Sequence, residues 1–111
     1  MGIEIVETPF IRKQVRSEKI AEEDIDAFKE DLKRDPERGD KIPQSGGLRK
    51  LRVSVGGKGK RGGARVIYLY ITADSEIYLL HIYKKARKEN LSNAELKTLR
   101  ELSKLLIKGE K

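Results

Sequence analysis

The sequence contains no cysteine, a single histidine and no long apolar segment. Without cysteine the chain cannot form a disulfide, a thiolate zinc site or a cysteine nucleophile, and one histidine excludes a histidine-rich metal centre. The longest apolar run, residues 66–71, is far shorter than the ~20 residues of a membrane-spanning helix. Residues 1–16 lack the apolar block of a signal peptide. We therefore expect a cytoplasmic protein that contacts no membrane and uses no cofactor.

The chain has 111 residues, and we expect one domain spanning residues 1–111, since domains typically contain ~100–150 residues. It carries 25 Lys and Arg against 18 Asp and Glu, a formal net charge of +7. The charge is unevenly distributed, because 12 acidic and 9 basic residues precede Gly47, whereas 6 acidic and 16 basic residues follow it. The second half of the chain is therefore expected to face a polyanion.

Hydrophobic periodicity predicts an α+β domain with the element order β-α-α-β-β-β-α. The predicted strands are residues 3–7, 49–55, 65–72 and 77–83. The predicted helices are residues 9 to about 16, 21–35 and 92–108. The composition of residues 39–47 indicates a loop.

Local motifs indicate where these elements begin and end. Thr8 and Pro9 are typical of a helix N-cap and first helical position. Ser92 and Glu95 have the spacing of a capping box at the start of the last helix. The pair Asp74-Ser75, between two apolar strands, favours an antiparallel hairpin.

A continuous stretch without any carboxylate, residues 48–73, contains most of the candidate functional residues. Its cations are Arg49, Lys50, Arg52, Lys58, Lys60, Arg61 and Arg65, and the cations after the last strand are Lys84, Lys85, Arg87 and Lys88. If the three central strands are neighbours, these cations surround one surface suited to a phosphate backbone, since each cation that neutralises a phosphate releases counterions. The alternative is a solvated basic edge that keeps the sheet soluble.

The glycine-rich segment at residues 56–63 separates two of the predicted strands. Residues 57–62 match the pattern G-x-G-x-x-G, but a dinucleotide site requires a helix after the motif, and a strand pattern follows here. Two interpretations remain open: a flexible hairpin tip, or a mobile cationic finger that orders on RNA.

Other polar and aromatic side chains favour structural roles. Strand alternation places His81 on the side of Leu79 and Tyr83, and a single strand histidine is more often a packing residue than a catalyst. Tyr68 and Tyr70 suit the core better than base stacking. The acidic residues of the second helix, which are Glu22, Glu23, Asp24 and Asp26, suit a solvated face better than a metal site.

Residues 46–52, 57–68 and 77–83 together resemble the RelE/HigB family of bacterial toxins, and specifically its HigB-like branch. The resemblance covers nearly the whole chain. It implies a RelE-like fold, in which two N-terminal helices and one C-terminal helix pack on a small, mainly antiparallel sheet. It also implies the toxin of a type II toxin–antitoxin module: an mRNA interferase that enters the A site of the 70S ribosome, contacts ribosomal RNA and cuts mRNA. The partner implied is a helix-turn-helix antitoxin.

The resemblance also implies residue roles in a metal-independent endoribonuclease. Arg65 matches an arginine that contacts the scissile phosphate, and Lys50 and Arg52 match a basic pair in the preceding strand. Lys85 matches a lysine after the last strand. Ala86 stands where some members have arginine, and no tyrosine follows Tyr83, so the general acid and general base are left unassigned among these residues.

The remaining basic residues are expected to bind RNA: Arg49, Lys58, Lys60, Arg61, Lys84, Arg87 and Lys88. A non-catalytic module that binds RNA or the ribosome would use the same cationic surface. A DNA-binding regulator is disfavoured, because the predicted helices have acidic or mixed faces rather than the basic face of a recognition helix.

Overall fold

The computed structural model describes residues 2–57, 63–88 and 90–109, which form an α+β fold. The strands are β1 (Glu4–Glu7), β2 (Asp40–Lys41), β3 (Leu48–Val53), β4 (Ala64–Ile71) and β5 (Glu76–Lys84). The helices are α1 (Pro9–Glu18), α2 (Glu22–Arg34) and α3 (Asn93–Ile107), and a 3-10 turn at Thr72–Asp74 joins β4 to β5. The predicted fold class and the predicted hairpin between the last two long strands are confirmed.

The five strands form one mixed sheet in the order β1-β5-β4-β3-β2. The pairs β5–β4, β4–β3 and β3–β2 are antiparallel, whereas β1 runs parallel to β5. Strand β2 lies within residues 39–47, so the prediction of a loop throughout that segment is wrong. Both β2 residues are exposed and neither is apolar. The sequence therefore has no apolar alternation at this position that would indicate a strand.

Each side of the sheet is covered by helices, which produces two apolar cores. The first core lies between the sheet and helices α1 and α2, and includes Ile11, Val15, Ile25, Phe28, Leu32, Val66, Tyr68, Leu79 and Ile82. The second core lies between the sheet and α3, and includes Leu48, Ile67, Leu69, Tyr78, Leu80, Leu99 and Leu106. Tyr68 belongs to the first core, and its hydroxyl donates to the carbonyl of Pro36 at 2.8 Å.

A β-bulge interrupts the β4–β5 ladder and corrects the expected position of His81. The register runs from Ile67 opposite His81 directly to Tyr68 opposite Leu79, which leaves Leu80 as the extra residue. A bulge places two consecutive side chains on one side of a strand. His81 therefore shares the α3 side with Leu80 and Tyr83, while Leu79 faces the first core.

Helix α1 continues the sheet where β1 ends. The β1–β5 pairing stops at Leu79, and the backbone N–H groups of Ile82 and Lys84 then donate to side chains of α1. The acceptors are Gln14 Oε1 at 2.8 Å and Glu18 Oε1 at 3.1 Å. Because residues i and i+4 lie on one helical face, two side chains of α1 replace the missing strand at this edge.

The helix ends agree in part with the local motifs. Thr8 occupies the N-cap position of α1, but its hydroxyl donates to the carbonyl of Leu79 at 2.9 Å instead of accepting a hydrogen bond from the helix. At α3 the predicted capping box is confirmed, since Ser92 Oγ accepts from Glu95 N and Glu95 Oε1 accepts from Ser92 N. None of the helices in the described ranges is long and apolar enough to cross a membrane.

Candidate functional site

One end of the adjacent strands β3, β4 and β5 presents a cluster of cationic side chains on the α3 side of the sheet. Lys50 and Arg52 are two residues apart on β3, so both project to the same side. Arg52 is directly opposite Arg65 on β4, and Arg65 is directly opposite Tyr83 on β5. Adjacent strands thus align their cations in one row. We call the surface formed by Lys50, Arg52, Arg65 and Lys85 the basic face.

Arg65 is the most deeply placed member of the basic face, with only 5% of the residue exposed. Its Nη1 atom donates to the carbonyl of Ala64 at 3.1 Å. A guanidinium stays charged even when it is buried, and its planar fork suits bidentate contact with a phosphate. The guanidinium therefore has the chemistry to hold a phosphoryl group whose charge is increasing, but a phosphate has little access to it in this conformation.

Lys85 follows β5 and continues its register. The backbone N–H of Lys85 donates to the carbonyl of Gly63 at 3.0 Å, which extends the β4–β5 ladder one residue beyond Ala64 opposite Lys84. Strand alternation then places Lys85 on the side of Tyr83 and Arg65. The two residues assigned by resemblance to the centre of catalysis thus belong to the same side of the sheet.

The segment between β5 and α3 lies at the rim of the basic face. Lys50 Nζ donates to Asn90 Oδ1 at 3.4 Å. Lys88 Nζ lies 5.1 Å from the centroid of the Tyr83 ring, within the range of a cation–π contact, and it also pairs with Glu95. Lys88 therefore joins the rim of the basic face, with its charge partly balanced by a carboxylate.

Three of the expected RNA-binding residues lie away from this surface. Arg49 projects to the opposite side of β3, and its Nη1 donates to the carbonyls of Glu37 and Gly39 at 3.0 and 2.8 Å. Lys84 is opposite Ala64, whose side chain belongs to the first core. The third residue, Arg87, pairs with Glu18 of α1. Lys58, Lys60 and Arg61 lie outside the described residues.

A polar network that the sequence reading missed borders the basic face. Gln14 of α1 contacts Nδ1 of His81 at 2.5 Å, and Nε2 of His81 lies 3.7 Å from Glu95 Oε2. Glu95 in turn pairs with Lys88. The three participating elements are far apart in sequence, so no spacing could have indicated the network. It links α1, β5 and α3 next to the basic face.

The surroundings of this network shift the pKa values of two of its residues, His81 and Glu95. Burial lowers the pKa of His81, although the nearby Glu95 acts in the opposite direction. Burial on its own would raise the pKa of Glu95, but the hydrogen bonds from Lys88 and from the backbone of Ser92 outweigh burial. The net result is a pKa lowered to about 2. At neutral pH His81 is thus held uncharged, and Glu95 is a carboxylate that fixes Lys88.

The described part of the chain contains no grouping of three or more His, Asp or Glu side chains that could hold a metal ion. A family model described as the RelE toxin of the RelE / RelB toxin-antitoxin system matches residues 3–111. The match includes all the strands that carry the basic face. It concerns the family as a whole and does not distinguish a HigB-like branch.

Proposed function

The chain belongs to the RelE family of toxins from toxin–antitoxin systems, and from this premise we propose that it is a ribosome-dependent mRNA endoribonuclease of the HigB-like branch that inhibits translation. The observation that carries the proposal is the convergence of Lys50, Arg52, Arg65 and Lys85 on one side of three adjacent strands. Such a surface matches the negative charge of an RNA backbone. The proposed substrate is mRNA in the A site of the 70S ribosome.

The proposed reaction uses the ribose 2′-hydroxyl as nucleophile. It requires removal of the hydroxyl proton, stabilisation of the charge that develops on the phosphorane, and a proton for the 5′-oxygen as it leaves. We assign charge stabilisation to Arg65 and Arg52, since an arginine remains protonated throughout. Lys50 and Lys85 are the candidates for proton transfer, and the acid and base roles are not divided between them. This nucleophile is supplied by the substrate, so the scheme needs no metal-bound water.

The same proposal covers the cellular setting. A chain of this family pairs with an antitoxin, and we propose that this antitoxin is a helix-turn-helix protein. We place the toxin in the cytoplasm, where its ribosomal substrate is found, and treat residues 1–111 as one functional domain. Lys58, Lys60, Arg61 and Lys88 are proposed to add contacts to ribosomal RNA around the basic face.

The proposal is tested by primer extension on mRNA that is being translated by purified 70S ribosomes in the presence of the full chain. We expect cuts in register with codons, and we expect Arg65→Ala to slow cleavage by roughly 100-fold or more, as removal of a charge-stabilising donor does elsewhere. Lys13→Ala removes one exposed cation from α1 and should leave cleavage unchanged. Circular dichroism establishes that each variant is folded.

The alternative is a non-catalytic module that binds RNA or the ribosome through the same surface. The burial of Arg65, 5% exposed, favours this alternative, because a phosphate has little access to the guanidinium in this conformation. Measuring both mRNA cleavage and ribosome binding distinguishes the nuclease from the non-catalytic module. Under the nuclease proposal Arg65→Ala slows cleavage by roughly 100-fold or more, while ribosome binding stays within a few-fold of wild type. If wild type binds ribosomes and leaves mRNA intact, the alternative is correct.

A further inference from the structure

A pocket of about 280 Å³ lies where β2 ends beside β3, next to the basic face. It is lined by Arg38, Asp40, Lys50, Leu51 and Arg52, and we call it the β3-edge pocket. Lys50 and Arg52 are members of the basic face, whereas Arg38 is an exposed residue of the segment between α2 and β2. The sequence reading gave Arg38 no role, so the pocket adds a cation to the surface proposed to contact RNA.

Strand pairing explains how Arg38 reaches this surface. Strand β2 is only two residues long, and it runs antiparallel to β3 with Asp40 opposite Lys50. Two residues further along the pairing, Arg38 lies level with Arg52, and both line the pocket. Arg52 is in turn opposite Arg65 on β4. The three arginines therefore form a row across segments that are ~4.8 Å apart, the spacing of neighbouring strands.

The turn that carries Arg38 is fixed by side chains of the sheet. The hydroxyl of Tyr68 accepts a hydrogen bond from Gly39 N at 2.9 Å and donates to the carbonyl of Pro36 at 2.8 Å. Arg49 donates to the carbonyls of the residues before and after Arg38, at 3.0 and 2.8 Å. These bonds hold the backbone on both sides of Arg38. An ordered backbone lowers the entropic cost of placing its guanidinium on a ligand.

The charge of the β3-edge pocket favours an anion. Its lining contains three cations and one carboxylate, that of Asp40, which gives a net charge of +2. Asp35 and Glu37 flank the turn but do not line the pocket. None of the ion pairs in the described part of the chain includes Arg38 or Arg52. Both guanidinium groups are therefore available to an external anion, with which they can form charge-assisted hydrogen bonds.

Carboxylates of α2 border the pocket but have other partners. Asp24 and Asp31 line an adjoining depression on the α2 side, which also includes Arg52. Asp24 Oδ2 accepts a hydrogen bond from the backbone of Gly56 at 3.1 Å, and Asp31 pairs with Arg34. These two carboxylates therefore do not neutralise the arginines of the pocket.

The position of the pocket selects the kind of anion. The proposed cleavage places the scissile phosphate against Arg52 and Arg65, and the β3-edge pocket lies one segment further along the same row. An RNA strand carries a phosphate at every nucleotide, so a strand that follows the row brings its next phosphate to Arg38. Contacts to phosphates fix the register of a nucleic acid on a protein.

We propose that the β3-edge pocket binds the RNA backbone phosphate next to the scissile one, and that Arg38 is its main ligand. The inference rests on the proposed nuclease function, because that function makes RNA the ligand of the basic face. The second contact would hold the strand so that the scissile phosphate stays beside the reacting groups, which is a contribution of positioning.

The test uses the full chain without ribosomes and two single-stranded ligands with methylated 2′-hydroxyls, which cannot be cut because the nucleophile is blocked. One ligand is a dinucleotide with one phosphate, and the other is a trinucleotide with two. Affinities are measured by titration in ¹⁵N spectra. Arg38→Gln should weaken binding of the trinucleotide by roughly fivefold or more and change that of the dinucleotide by less than about twofold, because only the trinucleotide reaches the pocket.

Two controls connect this effect to the second phosphate. Arg16→Gln removes the same charge from an exposed position of α1 and should change neither affinity. Trinucleotides with a neutral methylphosphonate at either linkage identify the phosphate that Arg38 contacts. One of these two ligands should bind wild type and Arg38→Gln equally well, since the charge that the arginine contacts is then missing. Circular dichroism establishes that the variants are folded.

Three results would overturn the proposal. The first is an equal loss of affinity for both nucleotide ligands, because Arg38 would then share the phosphate of the dinucleotide. The second is no effect of Arg38→Gln on the trinucleotide, including the case in which wild type does not bind it. The third is binding of the acidic peptide acetyl-Glu-Glu-amide as tightly as the trinucleotide with the same dependence on Arg38, because the ligand class would then be a protein carboxylate.

The outcome is separable from that of the proposed nuclease function. These titrations involve neither ribosomes nor cleavage. Loss of the trinucleotide effect together with normal cutting of mRNA on ribosomes would remove the pocket and leave the nuclease proposal in place. A selective effect of Arg38→Gln on the trinucleotide, together with intact mRNA on ribosomes, would refute the nuclease and leave a phosphate-binding pocket.

Discussion

Arg52 and Arg65 lie directly opposite each other on the neighbouring antiparallel strands β3 and β4, on the α3 side of the sheet. Like charges in directly opposed positions destabilise a sheet. Arg65 is also almost entirely buried. The electrostatic repulsion between it and a second cation is therefore stronger than it would be in water. An arrangement that lowers stability is expected where a protein must bind a strongly negative ligand, because ligand binding relieves the repulsion.

The first prediction concerns the opposing arginines. Arg52→Gln removes one charge while retaining a long polar side chain, so we expect the Tm to rise by about 1–4 °C, given ~0.2–0.5 kcal/mol of relieved repulsion. Cleavage of ribosome-bound mRNA should fall by roughly tenfold or more. Differential scanning calorimetry and primer extension measure the two effects. Arg16→Gln, at an exposed position of α1, should change neither quantity, and a lower Tm for Arg52→Gln would contradict the argument.

The second prediction concerns salt dependence. If Lys50 neutralises one RNA phosphate, Lys50→Ala should weaken binding to RNA and reduce the slope of log K against log salt by ~0.7–0.9. Binding is measured between low and physiological salt by filter retention of programmed ribosomes. Lys13→Ala removes the same charge from an exposed position of α1 and should leave the slope unchanged. Equal slopes for wild type and Lys50→Ala would remove Lys50 from the RNA contact.

The third prediction concerns acid stability. The pKa of Glu95 is lowered to about 2 in the folded chain, so its ionised form stabilises the fold above its unfolded pKa, and this contribution is lost as pH falls towards 2. The side chain is 33% exposed, so after discounting for solvent screening we expect about 1–2 kcal/mol. Glu95→Gln retains a capping-box side chain but cannot ionise. Urea unfolding should give a lower free energy for this variant at pH 7, and equal values for both proteins near pH 2.

The fourth prediction concerns the edge of β5. Glu18 is only 7% exposed, and its carboxylate accepts hydrogen bonds from Lys84 N and Arg87 Nη1. Glu18→Ala leaves a backbone N–H without its acceptor, which should lower the free energy of unfolding by about 1–3 kcal/mol. Glu23→Ala, at an exposed position in the first turn of α2, is the control and should be neutral within about 0.5 kcal/mol. Similar urea midpoints for the two variants would refute the edge-capping role.

The fifth prediction concerns the approach of two strands. A Cβ atom added to Gly63 would lie 2.0 Å from the carbonyl oxygen of Val53, which is backbone and cannot rotate away. Gly63→Ala should therefore separate the ends of β3 and β4 and lower the free energy of unfolding by about 1–3 kcal/mol. Thermal unfolding measures the change. Gly2→Ala is the control, since no atom beyond its own chain neighbours lies within 4 Å of the added Cβ, and a Tm for Gly63→Ala equal to that of the control would contradict the predicted clash.

Local sequence patterns were sufficient for most of the elements. The long strands β3, β4 and β5 and the capping box of α3 were predicted, because apolar alternation and the Ser92–Glu95 spacing act within a few residues. Strand β2 was missed, since its two residues have no apolar pattern and form a strand by pairing with Arg49 and Lys50. The hydroxyl of Thr8 was expected to cap α1, but the carbonyl of Leu79 takes its hydrogen bond after the chain folds back.

The candidate site was predictable in part. Alternation along β3 places Lys50 and Arg52 on one side of the strand and Arg49 on the other, because the period of a strand does not depend on its neighbours. The alignment of Arg52 with Arg65 depends on the register between strands. The register is set by packing of both cores and cannot be read from one strand. Arg49 was assigned to RNA binding on charge alone, whereas its guanidinium holds the carbonyls of Glu37 and Gly39.

The sequence alone determined the α+β class, the strands that carry the cations, and membership of the RelE family, because periodicity, composition and family motifs are properties of contiguous residues. Only the tertiary structure decided that β1 lies parallel beside β5, that a bulge at Leu80 turns His81 towards α3, and that Phe10 and Leu105 face a common groove. Each of these features joins segments that are distant in the chain. Such contacts arise from close packing and strand register, which act between elements and leave no periodic trace within any one of them.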